Sequence, residues 1–282
     1  MGHAASRRDA REMLARGAVL LNGRRGIKGA VVRAGDNVEV EVLPTLAAIE
    51  PDADNQIEVL FEDPALIVVN KPGSVPCHPL RPGERGTVMN SVVARFPETA
   101  AIGYKPIEGG LIHRLDNGTS GALMIARTAD AFATLRHAIR SGAIKRRYLA
   151  LVSGNLKAPL NLDTPIAHHP KNPRSMILVS DESDSARLAA RSALTRVGPM
   201  RRVGNFTVVS VMPSTGVRHQ IRVHLASAGF PIVGDDLYGG APSGLGPGRF
   251  WLHLSEIEFE SPASGVSKVS APLPNELARL IT

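Results

Sequence analysis

The spacing of apolar and polar residues divides the chain into a short first part and a longer second part. In the first part, Ser6 is placed to cap a helix that ends at Gly17, because a small hydroxyl residue often starts a helix and glycine often stops one. Asn22-Gly23 then predicts a tight turn. The strands predicted around that turn are residues 18–21 and the strictly alternating residues 38–42. We therefore expect residues 1–43 to form a small α+β unit.

Residues 57–282 contain many short apolar stretches and few helical patterns. Thr128 is placed to cap a helix through Ser141, with Gly142 as its end. The stretches that predict strands are 57–61, 66–70, 122–126, 148–152, 206–212, 221–225 and 251–259. Because the strands outnumber the helices and do not alternate regularly with them, we expect an α+β fold with a mixed, largely antiparallel sheet and peripheral helices. Residues 44–56 are polar, contain two prolines and predict a linker.

The distribution of charge adds an expectation about the partner. The formal net charge is +7, and residues 6–33 hold eight basic residues against Asp9 and Glu12. Residues 127–148 hold six basic residues against Asp130. Clustered positive charge of this kind favours a polyanionic partner, most simply nucleic acid, although a solvated helix face in a basic protein has the same composition.

Composition also disfavours several classes of protein. Cys77 is the single cysteine in 282 residues, which excludes a disulfide framework and a cysteine-rich zinc site and is consistent with a reducing cytoplasm. No apolar run approaches the roughly 18 residues of a membrane span, and the N-terminus lacks the basic-then-apolar order of a secretory signal. We therefore expect a cytoplasmic protein with no membrane partner.

Four polar stretches interrupt the predicted strands and are candidates for chemistry: residues 70–76, 113–121, 145–148 and 214–224. Each stretch alone is compatible with a structural role, since Asp116 before Asn117-Gly118 fits an Asx turn. Phosphoryl transfer is disfavoured because HRLD differs in order from the kinase HRD loop and no glycine-rich loop or DFG accompanies it. His219 and His224 lie five residues apart and do not fit the HExxH motif, so we expect no metal site.

Together the four stretches resemble the RluA-like pseudouridine synthases of the large-ribosomal-subunit type. The matching sequences, in the order of that family, are VNKPGSVPCHP, HRLDNGTSGALMIART, RRYLALVSG and TGVRHQIRVHLASAGFPIVGDDLYG. The resemblance covers residues 57–282 and implies the pseudouridine synthase fold for that catalytic domain. In the N-terminal part, SRRDAREMLARGAVLLNGRR and AGDNVEVEV resemble the later portion of an S4 RNA-binding domain, which implies a truncated S4-like unit in residues 1–43.

The resemblance also implies roles for individual residues. Asp116 corresponds to the family's essential aspartate, Tyr148 to its active-site tyrosine, and Arg222 to the arginine that pairs with the aspartate. Two positions depart from the family: Val217 stands where an arginine is common, and Arg146 stands where a lysine is common. The residues expected to contact substrate or RNA are His113, Arg114, Lys71, Arg146, Arg147, Arg218, His219 and Gln220, with Arg7, Arg8, Arg11 and Arg24 in the S4-like unit.

The implied reaction is the isomerisation of uridine to pseudouridine in structured RNA, with ribosomal RNA of the 23S type as the expected substrate. It breaks the N1–C1′ bond and joins C5 to C1′ with no net change in electrons or atoms, so no cofactor and no metal is required. One carboxylate suffices, as a nucleophile at C1′ or as a base at the sugar, and both routes stay open.

Three alternatives to this reading differ in their substrate or their chemistry. The same synthase activity on transfer RNA is one, and a noncatalytic RNA-binding ribosome-assembly protein on the same scaffold is another. A glycosidase that releases uracil would need a water-activating base, and the sequence offers no candidate for it. We expect the protein to be a monomer.

Overall fold

The computed structural model describes residues 7–40, 49–81, 83–104 and 107–282, without the side chains of residues 7–9, 12 and 16. The chain divides into two units, Met1–Ala48 and Ile49–Thr282. Several predictions fall outside the described residues: the cap at Ser6, the end of the strand at 41–42, the first part of the linker at 44–48, and the RNA contacts of the Arg7 and Arg8 side chains.

Residues 7–40 of the first unit form one helix and a three-stranded antiparallel sheet. These elements are Arg7–Arg16 (α1), Val19–Leu21 (β1), Arg24–Arg25 (β2) and Val38–Val40 (β3), and the strand order is β2-β1-β3. Gly17 ends α1 with φ +76°, and Asn22 and Gly23 connect β1 to β2 with φ of +51° and +75°. Positive φ at both central residues is the geometry of a type I′ hairpin turn, so the predicted helix end and turn are confirmed.

A nine-stranded sheet forms the framework of the second unit, beside a smaller two-stranded sheet. The strands of the two sheets are Glu58–Glu62 (β4), Leu66–Lys71 (β5), Ser120–Ala126 (β6), Lys145–Ser153 (β7), Leu160–Leu162 (β8), Ile166–His168 (β9), Met176–Leu178 (β10), Thr195–Val203 (β11), Phe206–Pro213 (β12), Leu252–Ser261 (β13) and Gly265–Ser270 (β14). The helices are Val88–Arg95 (α2), Ala129–Ser141 (α3), Glu182–Arg187 (α4), Gln220–Ser227 (α5) and Asn275–Ala278 (α6), with 3-10 turns at Pro97–Ala101 and Asp236–Tyr238. Within the described ranges, every helix is too short or too polar to cross a membrane.

The order of the strands brings distant segments of the chain together. The large sheet runs β4-β5-β6-β13-β7-β12-β11-β8, with β14 paired to β13. Its strand pairs are antiparallel except β6–β13, which is parallel. β13 therefore lies between β6 and β7, where Leu254 pairs with Gly121 on one side and Tyr148 on the other. The predicted mixed, largely antiparallel α+β architecture is confirmed.

Two helices show where the sequence patterns succeeded and where they failed. α3 begins where Thr128 Oγ1 accepts a hydrogen bond from the Ala131 N–H, and it ends at Gly142, with φ +76°. The strand predicted at residues 221–225 is wrong, because these residues belong to α5, whose first six residues are all buried. A short segment buried on every side has no solvent-facing stripe, so its apolar pattern does not distinguish a strand from a helix.

The predicted linker, residues 44–56, extends too far toward the C-terminus. Ile49 packs in the main apolar core, and the Asn90 side chain donates to the Glu50 carbonyl at 2.7 Å. The Asp52 N–H also donates to the Asn90 carbonyl at 3.0 Å. Residues 49–56 therefore belong to the second unit, because one apolar side chain and a buried asparagine fix this otherwise polar stretch.

Candidate active site

A chain of ion pairs joins Asp116 to two distant parts of the sequence. Arg222, in α5, donates from Nη1 to Asp116 Oδ2 at 3.0 Å. Its Nε and Nη2 donate to the two carboxylate oxygens of Asp235 at 2.7 and 2.8 Å. The Asp116 side chain is 26% exposed, whereas that of Asp235 is 1% exposed. Asp116 is therefore the carboxylate that a substrate can reach, and Asp235 holds the guanidinium from the interior.

Two aromatic rings contact the same guanidinium. Arg222 Cζ lies 4.4 Å from the centre of the Phe250 ring and 5.1 Å from that of Tyr238, within the range of cation–π attraction. Burial alone would lower the pKa of Arg222, but the Asp235 hydrogen bonds and the charges of Asp116 and Asp235 outweigh it and raise the pKa. A charged planar group held by a buried carboxylate and two aromatic rings can fix one orientation of Asp116.

The aspartate loop, residues 113–119, is held by the segment that begins at the end of β5. Lys71 is fully buried, and its Nζ donates to three carbonyl oxygens, including those of Asn117 at 3.1 Å and Thr119 at 2.7 Å. Burial lowers the pKa of Lys71 to about 8. Because an ammonium group has three donors, none remains for RNA. The expected RNA contact of Lys71 is therefore wrong, and the residue instead positions the aspartate loop.

Further contacts hold the same loop on either side of Asp116. The Cys77 thiol donates to the Leu115 carbonyl at 3.3 Å and accepts from the Leu115 N–H at 3.4 Å. The Ser74 N–H donates to the Asn117 carbonyl at 2.8 Å. Burial raises the pKa of the Cys77 thiol, which keeps it a neutral donor. The polar stretch at residues 70–76 thus forms a clamp on the aspartate loop together with Cys77.

Two glycines allow neighbouring backbone to approach the loop. A Cβ on Gly118 would lie 2.3 Å from the Gly248 carbonyl oxygen and 2.5 Å from the Phe250 ring. At Gly121, φ is +116°, and a Cβ would lie 2.2 Å from the Leu254 carbonyl oxygen. Both distances are too short for any side chain, so the glycines of this polar stretch are required by its packing against β13 and the segment before it.

Tyr148 reaches the site from β7. Alternation along the strand turns Arg146 and Tyr148 inward and Lys145 and Arg147 outward. Burial raises the pKa of Tyr148, the nearby charge of Asp116 adds to the rise, and Arg146 opposes it. The phenol is therefore protonated at neutral pH and lies within electrostatic range of the aspartate. Arg146 is itself buried and donates to the Thr215 carbonyl at 2.9 Å.

His113 and Arg114, adjacent in sequence, differ in their surroundings. His113 is buried, and its Nε2 accepts from the Met124 N–H at 3.3 Å. Burial, with the charges of Arg146 and Arg136, lowers its pKa to about 3, so the ring is neutral and ties the loop to β6. Arg114 is exposed. Of these two expected RNA contacts, only Arg114 presents its side chain to solvent.

The beginning of α5 is a network of polar side chains. Gln220 is buried; its Oε1 accepts from Thr215 Oγ1 and the Val217 N–H, and its Nε2 donates to the Leu194 carbonyl and Thr195 Oγ1. All its donors and acceptors are thus used inside the protein, which contradicts the expected RNA contact.

His219 begins this helix with a left-handed backbone, φ +53°. Its Nδ1 lies 2.9 Å from the Tyr238 hydroxyl. Burial lowers the pKa of His219 to about 4, so the ring is neutral at pH 7. The ring is only half-buried, and a contact with substrate at this position stays a prediction.

The departure at Val217 has a packing explanation. Val217 is buried in a second apolar cluster with Ile166, Met176 and Val223. The next residue, Arg218, is exposed, and its guanidinium donates to the backbone carbonyls of Pro173 and Arg174. The position where an arginine is common is therefore part of a small core in this chain.

Exposure distinguishes the remaining basic residues expected to meet RNA. Arg147 is exposed on β7 beside Glu256, with Nε 3.8 Å from the carboxylate. Arg11 and Arg24 are exposed on the first unit. Their contact with RNA stays a prediction.

Asp235 and Phe250 have roles that the sequence patterns did not reveal. Asp235 lies in the GDDLYG end of the matching sequence TGVRHQIRVHLASAGFPIVGDDLYG, but its separation of 13 residues from Arg222 follows no helical or strand spacing. Phe250 follows a glycine-rich loop and looks like an ordinary core residue. No cluster of three or more potential metal-ligating side chains occurs in the described part of the chain.

Comparison with known proteins places this geometry in a family. A family model described as RNA pseudouridylate synthase matches residues 65–227. The chain is 34% identical to the ribosomal large subunit pseudouridine synthase D of Xanthomonas campestris, over 98% of this chain and 84% of that protein. It is 30% identical to the protein of the same name from Pseudomonas aeruginosa, over 93% of this chain and 84% of that protein.

A solved structure shows the same fold. The human RNA pseudouridylate synthase domain containing 1 aligns with a TM-score of 0.63 and 24% identity, over 82% of this chain and 90% of that one. The chain therefore belongs to the RNA pseudouridylate synthase family.

Proposed function

We propose that this enzyme isomerises uridine to pseudouridine in the RNA of the large ribosomal subunit, with Asp116 as its essential carboxylate. The observation that carries the proposal is the pairing of a solvent-accessible Asp116 with Arg222, whose guanidinium is held by the buried Asp235. The names of the Xanthomonas and Pseudomonas relatives support the choice of ribosomal RNA. Action on ribosomal RNA implies a cytoplasmic enzyme, and we propose that it acts as a monomer.

The chemistry requires one carboxylate with a free oxygen. Asp116 Oδ2 is paired with Arg222, which leaves Oδ1 to attack C1′ or to remove a proton from the sugar. After the N1–C1′ bond breaks, the uracil turns and C5 bonds to C1′. The proton on C5 is then lost and N1 gains one, so the product has the composition of the substrate. Each route places the target nucleotide against the exposed face of Asp116.

Tyr148 is proposed to handle the base. A uridine in folded RNA must leave its stack to reach Asp116, and a tyrosine ring is a suitable surface for a detached base to stack on. The burial of Tyr148 also limits the access of water, which favours rejoining of the uracil over its loss. Its hydroxyl is protonated at neutral pH, so it is a candidate to relay the C5 proton, accepting it while giving up its own proton.

Exposed cations are proposed to bind the phosphates around the target. Arg114 is exposed in the aspartate loop, and Arg147 and Arg218 are exposed on β7 and before α5. In the first unit, Arg11 and Arg24 are exposed, which is consistent with an RNA-binding role for an S4-like unit in residues 1–43. Such contacts supply affinity that depends on salt and not on base sequence.

The experiment compares cellular RNA from cells with the protein, without it, and with Asp116→Asn. Carbodiimide labelling should show a pseudouridine in large-subunit ribosomal RNA that is lost in the second and third strains. The purified variant should retain RNA affinity within about threefold, because Asp116 carries the chemistry and not the phosphate contacts. A pseudouridine lost from transfer RNA alone would refute the substrate, and normal modification by Asp116→Asn would refute the mechanism.

A further inference from the structure

We propose that Arg249 is a positioning residue that fixes the position of Asp116 relative to Arg222. The inference rests on the proposed role of Asp116 as the essential carboxylate. Arg249 lies between the glycine-rich residues 239–248 and β13, and it is 4% exposed. The prediction from sequence gave it no role, and its contacts are with the supports of the active site.

The first set of contacts holds the aspartate loop. Arg249 Nη1 donates to the Gly118 carbonyl, and Nη2 donates to Ser120 Oγ at 3.1 Å. Lys71 already binds the carbonyl oxygens of Asn117 and Thr119. Three consecutive carbonyls after Asp116 are therefore bound by two buried cations. None of these peptide groups can rotate without the loss of a charge-assisted hydrogen bond.

The second set of contacts reaches the partner of Asp116. Arg249 Nη1 also donates to the Phe250 carbonyl at 2.6 Å, and the Phe250 ring lies 4.4 Å from Arg222 Cζ. The ring packs closely against Gly118, where a Cβ would lie 2.5 Å from it. The Arg249 guanidinium thus connects the aspartate loop to Phe250, whose ring contacts Arg222.

The energetics favour a geometric role over a stabilising one. Arg249 is buried near the buried Lys71, and its single carboxylate partner among the described residues is Glu276, 3.2 Å away and half-exposed. A buried cation with partial compensation stabilises a fold poorly. The planar guanidinium has five donors in fixed directions, and here they bind several groups at once. The close fit extends to Gly73, where a Cβ would lie 2.1 Å from Arg249 Nε.

The main test variant is Arg249→Lys, which keeps the charge but offers one nitrogen in place of three. We expect the single-turnover rate at saturating RNA to fall about 10- to 100-fold, as for a reacting group displaced by about 1 Å. RNA affinity should stay within about threefold. Hydrogen exchange should become faster in residues 113–121. Glu276→Gln, at a half-exposed position, should fold normally and lower the same rate by a smaller factor.

The matched control is Trp251→Phe. It removes the hydrogen bond from Trp251 Nε1 to the Leu277 carbonyl, 2.9 Å, which ties the same stretch of chain to α6. We expect it to lower the melting temperature but to keep nearly the wild-type rate.

Four outcomes would overturn the positioning role: wild-type rates in Arg249→Lys, unchanged rates in Glu276→Gln, an equal rate loss in Trp251→Phe, or a loss of affinity as large as the loss of rate. Asp116→Asn is measured alongside. If that variant turns over, the proposed function fails; if it is inactive while Arg249→Lys is fully active, only the positioning inference fails.

Discussion

Asp235→Asn tests how far the reaction depends on the residue behind Arg222. The carboxylate accepts two charge-assisted hydrogen bonds from the guanidinium, at 2.7 and 2.8 Å, and is almost completely buried. The amide has nearly the same shape but only one acceptor oxygen. Its NH₂ group would face a guanidinium N–H, donor against donor, and among the described residues Asp116 alone would remain as a counterion of Arg222.

The size of the effect follows from these contacts. Breaking a buried ion pair lowers the free energy of unfolding by about 3–5 kcal/mol. We expect a loss at the lower end of this range, because Arg222 keeps its hydrogen bond to Asp116 and its contacts with the two aromatic rings. A loss of about 3 kcal/mol corresponds to a fall of about 6–12 °C in the melting temperature of a unit this large. The single-turnover rate should fall about 10- to 100-fold, because the guanidinium that orients Asp116 loses one of its two hydrogen bonds to residue 235.

The assay is a single-turnover rate at saturating RNA together with a thermal melt. The matched control is Asp236→Asn, which makes the same chemical change at the neighbouring, exposed position. It should keep both the rate and the melting temperature of the wild type. The reasoning is refuted if Asp235→Asn behaves like Asp236→Asn in both measurements.

Three further predictions concern other parts of the molecule. Tyr148→Phe should bind RNA normally but turn over or release product slowly, and an unchanged rate in single- and multiple-turnover assays would exclude a role for the hydroxyl in proton transfer. Wild-type protein should lose stability as the pH falls from 6.5 toward about 3, because His113 binds a proton in the unfolded chain but not when it is buried. In urea unfolding, the free energy of unfolding of His113→Gln should fall less steeply with pH, by about 1.4 kcal/mol per pH unit. Equal pH dependence in the two proteins would contradict the burial of the ring. Replacing Arg11 and Arg24 with alanine should reduce the slope of log affinity against log salt by about 1.5, and an unchanged slope would mean that neither residue meets phosphate.

Local patterns predicted local structure well in this chain. The cap at Thr128, the stop at Gly142 and the turn at Asn22-Gly23 all formed as expected, because each depends on one or two residues and the backbone geometry that they favour. The exception is α5, read as a strand. Its residues are buried by both apolar clusters and by the polar network at Gln220, and these surroundings come from distant segments.

For the candidate active site, the sequence predicted the main ion pair but not the residues that support it. The pairing of Asp116 with Arg222 followed from motif resemblance, since no rule of spacing joins residues 106 positions apart. Lys71 and Gln220 were expected to contact substrate or RNA because they lie in polar motifs that resemble those of the family. Both are buried, since backbone carbonyls and side chains from other segments satisfy every donor. The sequence did not reveal the role of Asp235, because that role depends on Arg222, which only folding brings beside it.

The position of β13 determines when activity can arise as the protein folds. This strand begins at residue 252, yet it lies between β6 and β7, and β7 already ends at residue 153. A nascent chain that stops before residue 252 has nothing to separate and align these two strands, so Asp116 and Tyr148 have no fixed spacing. Sheets that depend on such distant pairings form slowly. We therefore expect no activity until β13 has been made and has inserted between β6 and β7, so the appearance of activity can report the folding of this strand.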